Sequence, residues 1–364
     1  MSEAAPNGGA PDPWQALARR AAATLAMLQR AAAAEPGGSA RDAVYREDKL
    51  TLYRYRPLAP AGAAAPAAGV APLLIVYALV NRPTMMDLQP DRSLIRRLLE
   101  QGLDVYLIDW GTPDGADRLL DLDDYINGYI DRCVRHVLAA HGVAQLNLLG
   151  VCQGGTFSLC YTALHPARVR NLITMVTPVD FHTPDNLLSR WVQQLDVDAL
   201  VRAWGIVPGE LLNNAYLALM PFRLLQQKYV HLLDGALDAA QAENFMRMEK
   251  WIFDSPGQAG AAFGQFVRWL YQENRLVAGT LELGGRRVDL GRIHQPVLNI
   301  YGRQDHIVPP AASAPLGRLV GSTDYSALAL DLGHIGMYVS SRAQREVPDS
   351  IARWLRARAG LSAS

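Results

Sequence analysis

The sequence predicts an α/β fold: a mostly parallel sheet with helices on both faces, and a helical cap inserted before the strand that carries an acid. Three observations predict it. The runs LLIVYALV (73–80), DVYLIDW (104–110), LNLLGV (146–151), NLITMVTPV (171–179) and PVLNIYG (296–302) are continuously apolar, as strands buried on both faces must be. Helical patterns separate the early runs, which supplies the crossovers that parallel strands need. The rhythm then stops after Asp180 for roughly a hundred residues of helical character and resumes near residue 296.

The elements follow in order. Residues 1–12 are rich in Ala, Pro and Gly and read as mobile, and Pro13 to Ala34 follows with Trp14, Leu17, Leu25 and Leu28 sharing one helical face. Residues 1–40 are therefore assigned as a flexible segment with an amphipathic helix that docks on the domain or on a partner. Residues 41–180 form the first part of the core. There LTLYRYRP (50–57) alternates like a strand, and LAPAGAAAPAAGVAP is a low-complexity loop. SLIRRLLEQG (93–102) is a short amphipathic helix closed by glycine, and DLDDYINGYIDRCVRHVLAAHG (121–142) is a helix with acidic residues in its first turn. Residues 181–285, with WVQQLDVDALVRAW, AYLALMPFRLLQQKYVHLL and ENFMRMEKWIFD, form the cap. Residues 286–364 complete the core, with the strands PVLNIYG and SALALDL and a final helix in REVPDSIARWLRARAG. A cap so inserted lies over the carboxyl ends of the strands, where ligands bind in such sheets.

Composition narrows the function. In 364 residues Lys+Arg and Asp+Glu balance at 35 each, which argues against a nucleic-acid footprint or a polybasic anchor. Three cysteines, Cys133, Cys152 and Cys160, make no disulfide framework and fit a reducing compartment. The start MSEAAPNGGAPDPW shows no secretory pattern and no apolar run is long enough for a membrane span, so a cytoplasmic location is expected. Metal-ligand spacing and nucleotide-binding glycine patterns are absent, so neither a metal nor a cofactor is expected.

The chemistry concentrates in NLLGVCQGGTFSLCYTALHP, residues 147–166. Gly150-Val151-Cys152-Gln153-Gly154-Gly155 has the outline of a nucleophile elbow with cysteine in place of serine. A sharp strand-to-helix turn lifts the nucleophile above the sheet and requires small neighbours. The helix N-terminus favours a thiolate at Cys152. The backbone N–H of Gln153 supplies half of an oxyanion hole, and the loop around Leu79, Val80 and Asn81 supplies the other half, with Val80 as the candidate. The partners follow in the chain order of an α/β-hydrolase fold: Asp305 ends VLNIYGRQD, and His334 follows ALALDLG. His334 serves as general base and Asp305 holds its tautomer. Asp180, also at a strand end, is the alternative acid. His306 points away from Asp305, and Cys133 and Cys160 read as core thiols.

These residues carry a resemblance. GVCQGGTFSLCYTALHPARVRNLITMVTPVDF resembles the lipase-box region of polyhydroxyalkanoate synthases, in which G-x-C-x-G-G replaces the lipase serine. Residues 77–111, DDYINGYIDRCV, NIYGRQDHIVPP and LGHIGMYVS agree with it, so that the likeness spans about residues 40–358. The short N-terminus and the Cys-Gln-Gly-Gly box are most similar to the class III type, with a class IV enzyme as near neighbour. The resemblance implies polymerisation of (R)-3-hydroxyacyl-CoA, foremost 3-hydroxybutyryl-CoA, with release of coenzyme A, which is substrate and not cofactor. It implies Cys152, Asp305 and His334 as nucleophile, acid and base, and a second, non-catalytic subunit as partner. It also implies a homodimer or hetero-oligomer, and association with cytoplasmic polyester granules. Trp191, Trp204, Phe222, Trp251, Phe253 and Trp269 then either line a path for the polyester or form the cap's own core. Two readings compete: a cysteine hydrolase of the same fold, such as a thioesterase or dienelactone hydrolase-like enzyme, and a non-catalytic granule-binding protein.

Overall fold

The computed structural model describes residues 38–58, 69–219 and 239–359. The expected N-terminal helix, most of the low-complexity loop and Phe222 lie outside the described residues. The chain divides into two compact units, one of residues 1–35 and 220–250, the other of residues 36–219 and 251–364. Of the first unit, the described part is helical and belongs to the helix Ala239–Phe253.

The second unit is built on eight strands: β1 Arg41–Glu47, β2 Leu50–Tyr55, β3 Leu73–Val76, β4 Val105–Asp109, β5 Leu146–Val151, β6 Val169–Met175, β7 Val297–Gly302 and β8 Tyr325–Leu330. They lie in the order β1-β2-β4-β3-β5-β6-β7-β8. From β4 to β8 all neighbours are parallel, and β1 and β2 add an antiparallel edge. Every residue of β3 and β5 is buried, which is why those segments read as unbroken apolar runs. β1 escapes sequence reading because RDAVYRE is charged and half-exposed; an edge strand has a free side that tolerates such residues.

Local signals explain the helix boundaries. Ser93 Oγ accepts from Arg96 N and starts the helix Leu94–Glu100; Ser340 Oγ accepts from Ala343 N and starts Ser341–Arg356. The segment read as a helix over 121–142 begins as a π-helix at Asp124–Ile130, continues as the α-helix Asp131–His141, and stops at left-handed Gly142. The two apolar runs that feed the site end earlier than their hydropathy suggests. β3 stops at Val76 and β6 at Met175, and both chains then turn through positive φ, at Asn81 and Val176.

Between β6 and β7 lie the helices Leu187–Val192, Val197–Trp204, Gly209–Ala218, Ala239–Phe253 and Gly260–Gln265, and the π-helix Phe266–Gln272. Two short ribbons occur there too, Ile206–Val207 with Gln258–Ala259 and Glu282–Leu283 with Arg286–Arg287. Phe266 packs edge-on against Phe157 and Phe181 at 5.9 Å, joining this layer to the core of the sheet.

Candidate active site

Cys152 stands between β5 and the helix Gln153–Leu164 with φ 54° and ψ −124°. Such a conformation for a side chain with Cβ costs about 1–3 kcal/mol, and the packing around it enforces it. A side chain at Gly154 would run into Val76 O, and one at Gly155 into Thr177, so only glycine permits this close approach of helix to sheet. The turn leaves Cys152 partly exposed, while Cys133 and Cys160 are buried. Burial pushes the Cys133 thiol up and that of Cys160 up to about 12, so neither is a nucleophile at neutral pH.

His334 and Asp305 meet. The imidazole Nδ1 lies 2.7 Å from Asp305 Oδ2, with both residues buried. The other carboxylate oxygen, Oδ1, accepts from the backbone N–H groups of Ile307 and Val308, each at 2.9 Å, which fixes the acid in place. With Nδ1 committed to Asp305, Nε2 lies 3.5 Å from the Tyr338 hydroxyl, and Cys152 is close enough to the ring to act on its charge. Burial by itself would push the imidazole down. The Asp305 charge and hydrogen bond, helped by Cys152, outweigh it and raise the group to about 10. Asp180 does not join this cluster: its Oδ1 accepts from Asn274 Nδ2 at 2.9 Å and from His182 N at 3.1 Å.

A folded-state value above the ordinary histidine value of about 6.5 means that the native protein binds the proton more tightly than the unfolded chain. The stabilisation is complete below about pH 6.5 and is lost as pH rises towards the folded value of about 10. Asp305→Asn removes the main cause of the upward shift. Urea unfolding at pH 6 and pH 9 should show a larger loss of stability in the wild type than in Asp305→Asn; equal losses would refute the coupling.

Gln153 has a second task that sequence reading missed. Its side-chain Oε1 accepts from Leu79 N at 3.0 Å, tying the elbow to the loop after β3. Leu79 N–H is thereby engaged, whereas Val80 lies beside Cys152 and Gln153 on the wall of one cavity. The same loop is held by residues 251–255: Ser255 Oγ donates to Asn81 Oδ1, Trp251 Nε1 donates to Arg82 O at 2.7 Å, and Arg82 pairs with Asp254 at 2.9 Å.

The cavity has a volume of about 230 Å³ and is lined by Cys152, Gln153 and Val80 together with apolar side chains such as Leu188, Leu200, Leu212, Phe263 and Phe266. It takes an acyl chain and disfavours water. None of the cap tryptophans lines it. Trp191, Trp204 and Phe253 are exposed, Trp251 is buried against the loop after β3, and Trp269 packs on the core. Among the described residues no His/Cys/Asp/Glu group is placed to hold a metal, and no helix is long and apolar enough to cross a membrane.

A strained cysteine over an apolar cavity, joined to a buried His–Asp pair, is equipped for acyl transfer, and relatives narrow the choice. A sequence model of the α/β hydrolase fold matches residues 71–339. The polymerase subunit "Poly(3-hydroxyalkanoate) polymerase subunit PhaC" of Allochromatium vinosum is 60% identical over 91% of this chain and 92% of its own. The chain belongs to the poly(3-hydroxyalkanoate) polymerase family. Proteins of the same name from Thiocystis violacea and a Synechocystis strain are 56% and 48% identical, over 91% and 88% of this chain and 92% and 85% of theirs. Among solved structures, a monoacylglycerol lipase of Paleococcus ferrophilus shares the fold with TM-score 0.52 at 18% identity, covering 84% of this chain and 99% of its own. A bacterial membrane phospholipase A shares it with TM-score 0.51 at 16% identity, over 96% and 93%. The fold is thus the α/β-hydrolase fold and the family that of poly(3-hydroxyalkanoate) polymerases.

Proposed function

We propose that this enzyme, an acyltransferase by its family, polymerises (R)-3-hydroxyacyl-CoA, foremost 3-hydroxybutyryl-CoA, through an acyl-Cys152 thioester. One observation carries the mechanism: the elbow cysteine faces both an apolar cavity and the imidazole that Asp305 anchors. At neutral pH His334 stands as the imidazolium that Asp305 stabilises, so the pair reacts with the thiol proton already on His334 Nε2 and Cys152 as the thiolate. The sulfur attacks the thioester carbonyl, and the backbone N–H groups of Gln153 and Val80 receive the developing oxyanion. The C–S bond to coenzyme A breaks, and the leaving thiolate takes the proton from His334. The 3-hydroxyl of another unit then gives its proton to His334 and attacks the acyl-cysteine. An ester bond forms, and Cys152 leaves with its proton restored.

Sulfur suits a polymerase. Exchange of one thioester for another is nearly isoenergetic, so the acyl group on Cys152 stays activated for the next transfer, whereas a serine ester would discard that activation. The apolar cavity keeps water from competing with the chain hydroxyl. The partner is a second, non-catalytic subunit, a reading supported by the relatives' names as polymerase subunits, with the enzyme acting in homo- or hetero-oligomers at the surface of cytoplasmic granules. The growing polyester itself recruits the enzyme there.

The fate of the acyl group tests the reading. With limiting radiolabelled 3-hydroxybutyryl-CoA, label should accumulate as protein-bound oligomer and insoluble polyester, with little free acid. Monomeric acid appearing at the rate of coenzyme A release would make the protein a cysteine thioesterase.

A further inference from the structure

The cavity beside Cys152 is lined mostly by apolar side chains, with a few polar ones among them. Tyr216, from the helix Gly209–Ala218, and Tyr271, from the π-helix Phe266–Gln272, both line it, together with Gln258. In a π-helix the i→i+5 hydrogen bond stacks residue 271 above residue 266, whereas α winding would turn them apart. The rings of Phe266 and Tyr271 accordingly lie 5.9 Å apart on one face, both toward the cavity. Phe181 packs edge-on against Tyr271 at 4.7 Å and holds its ring in place. Among the described residues none hydrogen-bonds to the hydroxyl of Tyr216 or Tyr271, and none to the Gln258 side chain. Burial pushes both phenols up, with Cys152 charge adding to it, and for Tyr271 the neighbouring Tyr216 as well. Both hydroxyls are therefore neutral donors that also accept, and both lie within electrostatic reach of the sulfur.

An acyl chain on Cys152 must place its carbons among leucines, valines and phenylalanines. A hydroxyl on that chain needs a polar partner, since burying one unpaired costs more than the contact gains. We propose that the Tyr216 and Tyr271 hydroxyls recognise the 3-hydroxyl of the acyl group on Cys152 and so select hydroxyacyl over plain acyl thioesters. The proposal rests on the acyl-Cys152 reading and adds to it two specificity-determining residues. A wall that supplies both a donor and an acceptor matches a hydroxyl, and would be left with unpaired polar groups by a substrate that lacks one. Discrimination of that kind is strong because the penalty falls on the wrong substrate.

The test compares single-turnover coenzyme A release from 3-hydroxybutyryl-CoA and from butyryl-CoA, which lacks the hydroxyl, for wild type, Tyr216→Phe and Tyr271→Phe full-length protein. Each Phe variant should lose about 10-fold in acylation by 3-hydroxybutyryl-CoA and gain with butyryl-CoA, whose chain no longer leaves that hydroxyl unpaired. Butyryl-CoA turnover that is retained or raised also certifies the fold of each variant. Equal losses with both substrates would overturn the proposal by showing general support of the site, and so would no loss with either. Failure of the acyl-Cys152 reading itself is seen separately, as wild-type protein that releases coenzyme A without a mass increment on Cys152.

Discussion

Cys152→Ala abolishes coenzyme A release, with an expected fall on the order of 10⁴–10⁶-fold, the range found when a covalent nucleophile is removed. The protein remains folded, because the lost sulfur faces the cavity rather than the packed core. Alanine also keeps the backbone restraint at φ 54°, which neighbouring packing imposes whatever the side chain. The contrast with the other thiols isolates the effect. Cys160→Ala and Cys133→Ala remove buried groups that take no part in the site, so each retains most activity and costs only a small core cavity. Thiol release from 3-hydroxybutyryl-CoA, read beside circular dichroism, checks all three variants. Full activity in Cys152→Ala would sink the mechanism.

His334→Gln slows even the first acylation by about 10²–10⁴-fold, because glutamine can occupy the space yet cannot take the thiol proton. Asp305→Asn acts differently. The imidazole remains, so one acyl group can still be loaded, but the carboxylate that raises His334 and pins its Nδ1 is gone. Activation of a hydroxyl, a far weaker acid than a thiol, depends more on that carboxylate, so elongation suffers more than loading. Intact-protein mass spectrometry after one equivalent of substrate separates the two: little adduct in His334→Gln, a persistent single adduct in Asp305→Asn. Asp180→Asn should load and elongate like wild type, since its carboxylate faces Asn274 and His182. Damage by Asp180→Asn equal to that by Asp305→Asn would move the acid role.

In the proposed mechanism loading needs the elbow and the loop after β3, which Gln153 joins through Leu79. The contacts of Trp251, Asp254 and Ser255 with Arg82 and Asn81 hold the loop that carries Val80.

Much was determined by the sequence alone. Parallel strands buried on both faces must be apolar throughout, so β3, β5 and β6 announced themselves, and small residues at 150, 154 and 155 marked the elbow because no side chain fits there. Chain order named Asp305 and His334, each just past an apolar strand. A charged edge strand such as β1 carries no comparable pattern and was invisible. The tertiary structure alone decided which acid reaches the imidazole, since Asp180 and Asp305 both follow strands and only three-dimensional placement separates them. It alone decided which cap residues face Cys152. The sequence left open whether the aromatic residues of 181–285 line a path or form a core, and the cavity is walled by leucines, Phe263, Phe266, Tyr216 and Tyr271 with no tryptophan among them. A helix is apolar on the side that packs whether it packs on core, partner or cavity, so its sequence records that a face is buried and not what lies opposite.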